Sequence, residues 1–216
     1  MPRESKKSVL KRAIQVQDAL HQHYADSQTA LDWKNPFQLL VATILSAQCT
    51  DKRVNLVTPG LFARFPTAKA MAAAKIDEIR ELIQSINFFN NKSKHLHGTA
   101  KQLMEKHQGR VPENMKDLIA LPGVARKTAN CVLGQAFHNP VGVEVDTHVG
   151  RLARRMKLSK HQKPEQVEKD LMDLFPQEKW TWLSHALIDH GRAFCTSRRA
   201  RCEECPLEGI CPQQLT

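Results

Sequence analysis

Four of the chain's six cysteines fall in its last 22 residues, as Cys195, Cys202, Cys205 and Cys211, and no other feature constrains the fold more. Four thiols so close along the chain can surround one metal centre without long-range folding. Zinc ribbons and fingers usually present two C-x2-C knuckles. Here the spacing is C-x6-C-x2-C-x5-C, so only Cys202 and Cys205 make such a pair. A 4Fe–4S cluster, with one cysteine per iron, tolerates that irregularity. Spacing therefore favours iron–sulfur over zinc, with unligated cysteines a third reading. Cys49 and Cys131 stand in stretches that read as apolar helices, where small core side chains are the default. Between the first two ligands lie Arg198, Arg199 and Arg201. Ligands at both ends would hold this loop stiff with three guanidiniums facing outward, which suits phosphate contacts. A solvated basic loop is the plainer alternative.

The first residues, Met1–Ser8, lack the apolar stretch of a signal peptide. No run reaches the roughly 20 apolar residues that span a bilayer. The expectation is a soluble, intracellular protein without a membrane partner, in a reducing compartment where cysteines serve metals or chemistry. Lys and Arg number 32 against 22 Asp and Glu, a formal charge of +10. That surplus favours a polyanion, because each phosphate neutralised releases counterions.

Helix punctuation recurs along the chain, and the fold class read from it is all-α. Asn35-Pro36 offers a cap and a first-turn proline ahead of the apolar run to Ala47, which predicts a central, buried helix. Thr67 is placed to cap a helix on which Ile76, Ile79, Ile83 and Ile86 recur at three- and four-residue spacing. Further helices fit 91–107, 113–120, 124–137, 147–156, 164–175 and 178–190. Only 141–145 alternates like a strand, and it is short enough to be a connection.

Leu121-Pro-Gly-Val124 joins two of these helices in a few residues. Gly123 can adopt positive φ, and the next helix then points free N–H groups outward, a sequence-blind anion site. A plain helix–helix turn is the alternative. On the helix that follows, Ala125, Ala129, Val132, Leu133 and Ala136 gather on one face. Lys127 projects from the other, above Cys131 and Gly134, which are small. A solvated lysine is the usual explanation for such a position. At the start of a later helix stands Asp146-Thr147-His148, where Asp146 reads first as an N-cap.

Taken in order, Leu45-Ser-Ala-Gln-Cys-Thr-Asp51, Leu121-Pro-Gly-Val-Ala-Arg-Lys-Thr-Ala-Asn130, Val145-Asp-Thr-His148, His190-Gly-Arg192 and the four cysteines resemble the endonuclease III family of helix-hairpin-helix DNA glycosylases, over nearly the whole chain. The resemblance implies two helical domains with a DNA cleft between them. One would be a six-helix barrel, 29–139, with the helix-hairpin-helix at about 113–137. The other would combine 1–28 with 140–216 and hold a 4Fe–4S cluster on the cysteine quartet. The implied activity is that of a bifunctional N-glycosylase and AP lyase excising oxidised pyrimidines. Its partner would be double-stranded DNA carrying damaged bases or abasic sites. Lys127 matches the catalytic lysine and Asp146 the catalytic aspartate. Gln48 and Phe88 match the residues that fill the gap left by a flipped nucleotide. Gly123, Val124, Ala125 and His148 match DNA contacts, while Ser46 and Asp51 are weaker candidates for reading the flipped base. A monomer in the cytoplasm or nucleoid of a prokaryote is expected.

Two departures stand out. The family hairpin usually reads G-V-G, whereas Ala125 stands last here, and the wedge position holds Phe88 rather than an aliphatic residue. An adenine or mispair glycosylase would need a catalytic Glu within 41–48 and lacks the hairpin lysine. Readings from other classes are a non-catalytic iron–sulfur DNA-binding module and a zinc-binding adaptor.

Overall fold

The computed structural model describes residues 4–213, and among these there are eleven α-helices and no β-strand beyond a single bridge between Cys195 and Ala200. Ala30–Asn139 forms one compact unit, and the described residues on either side of it form the other. No helix is long and apolar enough to cross a membrane.

Chain order begins with α1 (Lys6–Tyr24), capped by Ser5, whose hydroxyl accepts from the Ser8 N–H. Sequence patterning does not delimit this helix, because Leu10 and Ile14 are exposed while Ala13, Val16 and Leu20 are buried. Apolar residues on two faces blur the stripe. In the central unit, α2 (Pro36–Ser46) starts on Asn35, which caps the Gln38 N–H at 3.0 Å. Seven of its eleven residues are buried, as expected of a central helix. Next, α3 (Asp51–Arg64) also escapes the pattern, since Pro59 lies inside it; a proline there removes a helix donor and normally reads as a stop.

The helix expected from Thr67 onward is two helices, a correction. Thr67 caps α4 (Ala68–Ala73), Ala74 turns extended at ψ 155°, and Lys75 starts α5 (Ile76–Leu82) with Glu78 accepting from its N–H. The break lets Ile79, Ile83 and Ile86 turn into the core. The long α6 (Phe89–His107) ends where Gly109, at φ 79°, donates its N–H to the Leu103 carbonyl; that closure needs the left-handed region. Two shorter helices, α7 (Met115–Ile119) and α8 (Arg126–Ala136), complete the unit.

In the flanking unit, α9 (Thr147–Arg155), α10 (Pro164–Leu174) and α11 (Trp180–Ala193) surround a core that includes Val16, Leu152, Leu171, Leu187 and Leu207. The strand-like 141–145 segment is irregular: the Glu144 N–H is satisfied by the Ser184 hydroxyl at 2.9 Å, not by a strand. Cys131 is buried in α8, but Cys49 is half-buried in the turn between α2 and α3, not in a helix.

Candidate functional site

The hairpin between α7 and α8 is seated on α6. Gly123 stands at φ 76°, and a Cβ there would fall 2.8 Å from His95 Nδ1. Both the backbone and the neighbour therefore demand glycine. Thr99 Oγ1 donates to the Pro122 carbonyl at 2.7 Å and Gln102 Nε2 to the Ala120 carbonyl at 3.2 Å. Leu121 and Val124 anchor the turn inward. Ala125 is exposed in extended backbone, φ −93° and ψ 170°. Any residue adopts that conformation, so alanine in place of a second glycine adds no backbone strain. What it adds is one methyl group.

Lys127 follows in the first turn of α8 and is exposed. The contrast with Lys92 is sharp. Lys92 is 5% exposed, and its ammonium donates to the Leu45 and Ala47 carbonyls at 2.8 and 2.6 Å. Burial pushes the Lys92 pKa down. An amine enclosed in this way is closed to any ligand, whereas Lys127 stands open to solvent.

Two turns project side chains from the same unit. Gln48 is exposed in left-handed backbone at φ 53°, and Phe88 at φ 59° is 60% exposed. Neither conformation is common for a residue with a side chain. Asn87 Nδ2 donates to the Gln48 carbonyl at 2.7 Å, tying the turns together. Ser46 closes α2 with its hydroxyl donating to the Thr43 carbonyl, and Asp51 opens α3. Sequence reasoning passes over Asn87 and Lys92 because nothing local marks a residue whose partners lie 39 to 47 positions away.

In the flanking unit, Asp146 caps α9, its Oδ1 accepting the Val149 N–H at 2.8 Å. His148 Nδ1 faces Arg151 Nη2 at 3.1 Å. A guanidinium only donates, so Nδ1 is the acceptor and the neutral ring carries its proton on Nε2. The close passage of α9 and α11 depends on Gly191, where a Cβ would meet His148 and Arg151 at 3.0 and 3.1 Å.

The four C-terminal cysteines share one open cavity of about 400 Å³, a volume that includes solvent at its mouth. Arg155 Nη1 donates to Cys195 Sγ at 3.2 Å, the Leu207 N–H to Cys205 Sγ at 3.4 Å and the Gln213 N–H to Cys211 Sγ at 3.4 Å. His190 bridges Tyr24 and Cys205, at 3.3 Å from the phenol oxygen and 3.4 Å from the sulfur. Burial first, and then His23, hold the His190 pKa down at about 4. Burial also pushes the Cys205 and Cys211 thiols up. Among the described residues no three His, Cys, Asp or Glu side chains are gathered on a single ion. In the loop between Cys195 and Cys202, Arg198 and Arg199 are exposed. Arg201 departs from the expected outward fan. It bonds Glu204 at 3.1 Å and the Ala193 carbonyl, and its guanidinium lies 5.1 Å from the Phe194 ring centroid.

Residues 41–177 match the HhH-GPD superfamily of base excision DNA repair proteins. Endonuclease III of Synechocystis sp. is 50% identical over 201 residues, covering 93% of this chain and 92% of that protein. The chain belongs to the endonuclease III family. Within that family, the structure of a non-covalent endonuclease III–DNA complex superposes with a TM-score of 0.89 at 36% identity, covering 94% of this chain and 95% of that one. A trapped endonuclease III–DNA covalent intermediate gives a TM-score of 0.87, also at 36% identity, over 93% and 96% of the two chains. The HhH-GPD match takes in Gln48, Phe88, the hairpin, Lys127 and Asp146 and stops short of the four cysteines.

Proposed function

We propose that this endonuclease III family member excises oxidised pyrimidines from duplex DNA as a bifunctional glycosylase and AP lyase of base excision repair. The observation that carries the reading is Lys127, an exposed amine one turn beyond a glycine hairpin in a chain of this family. The hairpin N–H groups and the basic loop would hold phosphates and read no bases. Chemistry on a base requires its extrusion from the stack, and Gln48 and Phe88 are placed to occupy the vacancy. The neutral Lys127 amine attacks C1′ of the deoxyribose and expels the damaged base. Loss of the ring oxygen bond then gives a Schiff base, and β-elimination breaks the strand on the 3′ side. Asp146 stabilises positive charge developing on the sugar and assists proton transfer.

The cysteine quartet suits a 4Fe–4S cluster. Four thiols border one cavity, and backbone and guanidinium N–H groups point at three of the sulfurs. Such donors stabilise thiolates that a metal centre requires. Cys195, Cys202, Cys205 and Cys211 would hold the cluster, and ligation at Cys195 and Cys202 would fix both ends of the Arg198–Arg199 loop. The test is a nicking assay on duplexes with a panel of damaged bases. Oxidised pyrimidines should be cut on the 3′ side by a yellow-brown protein absorbing near about 400 nm. Binding without cleavage would instead favour a non-catalytic module, and one zinc without iron an adaptor.

Charge reversal separates the loop arginines. Arg198→Glu with Arg199→Glu should weaken binding to all duplexes alike and flatten the salt dependence of affinity, by about one unit of log–log slope for each phosphate no longer neutralised. Arg201→Glu should instead cost stability, because that guanidinium bonds Glu204 and lies over the Phe194 ring, and a carboxylate there would face Glu204. Affinity measured against salt decides it. A changed ratio of damaged to undamaged affinity at constant slope would show that the loop reads lesions.

A further inference from the structure

The turns bearing Gln48 and Phe88 are far apart in sequence, yet the same short stretch at the start of α6 holds both. Asn87 donates to the Gln48 carbonyl at 2.7 Å. Lys92, one turn into α6, donates to the Leu45 and Ala47 carbonyls, the second of which immediately precedes Gln48. These carbonyls belong to the C-terminal end of α2, where the last turn lacks intrahelical donors and the dipole favours a cation. Among the described residues no carboxylate pairs with Lys92, although it is 5% exposed. Burying an ammonium is costly, and an apolar side chain could fill the same volume. What the charge secures is the exit of α2 into the Gln48 turn.

Gln48 and Phe88 both occupy left-handed backbone without being glycine. Such conformations persist only where the surroundings hold them. We propose that Asn87 and Lys92 are positioning residues that lock the Gln48 turn to the Phe88 turn, so that the two side chains enter the duplex as one preformed wedge. The inference rests on the part of the glycosylase reading that places those side chains in the duplex. Locking them beforehand removes the ordering cost from the insertion step. The same helix continues to Thr99 and Gln102, which hold the hairpin carbonyls. One rigid element thus fixes the wedge relative to the phosphate-binding turn.

The experiment uses a duplex with a tetrahydrofuran abasic analogue opposite 2-aminopurine, which supports insertion and no chemistry. Insertion unstacks the fluorophore and raises its emission. Asn87→Asp replaces the donor by an acceptor on an exposed residue and should slow insertion about five- to tenfold, the worth of one net hydrogen bond. In a Gln48→Ala background the same change should add nothing, since its effect runs through the Gln48 side chain. Lys92→Met should show the same non-additive pattern, read alongside its melting temperature. Wild-type insertion rates in Asn87→Asp overturn the proposal. So do losses that add in the Gln48→Ala background, which would mark general loosening, and so does a wild-type protein that raises no emission. Excision of an oxidised pyrimidine is followed on the same samples. Insertion without excision would sink the glycosylase reading and leave the clamp standing.

Discussion

Lys127→Gln is expected to abolish both borohydride trapping on a duplex containing an oxidised pyrimidine and nicking of that duplex, a loss of about a thousandfold or more, because the proposed mechanism has Lys127 as its one covalent nucleophile. Glutamine keeps a side chain of similar length on the same exposed face of α8. The change should therefore cost only a few tenths of a kcal/mol in stability, as expected of a surface site. Binding to an abasic duplex should persist, since the proposed function draws its phosphate contacts from the hairpin backbone and the Arg198–Arg199 loop. Lys92 cannot substitute, being buried with its ammonium bonded to two carbonyls. Undiminished trapping by the Lys127→Gln protein would falsify the assignment and pass the chemistry to another amine. A merely solvated lysine predicts that activity hardly moves.

Asp146→Asn should lower base excision by about 10²- to 10³-fold, within the range of a positioned acid–base group. The structure makes this substitution unusually clean. Asp146 Oδ1 caps α9 by accepting the Val149 N–H, and asparagine caps a helix as well as aspartate does. Stability should hold while the negative charge disappears. Asp146→Ala removes the cap as well and should cost a further ~1 kcal/mol in unfolding experiments. Strand cleavage at pre-formed abasic sites, where no base has to leave, should fall less than excision does. If the Asn variant excises at the wild-type rate and only the Ala variant suffers, the residue is a cap and nothing more.

The sequence by itself determined the helical class, since caps and apolar spacing are signals contained within one or two turns. Asn35-Pro36 and Asp146 both open helices as their side chains demand. It also placed four cysteines close enough to act together, because their spacing needs no long-range contact. Helices that broke local rules were harder to read. Pro59 inside α3 and the two-faced apolar pattern of α1 hid both, and the α4–α5 break appeared only once Ile79, Ile83 and Ile86 had a core to enter. Other features were decided by tertiary structure alone. Gly123 is required because His95, from another helix, fills the space of its missing side chain. Ala125 adds no backbone strain because that residue is extended. Arg201 is drawn back onto Phe194 and Glu204. Lys92 and Asn87 find acceptors 39 to 47 positions away. A hydrogen bond across that separation leaves no periodicity in the chain; it exists only when packing brings the two segments within about 3 Å.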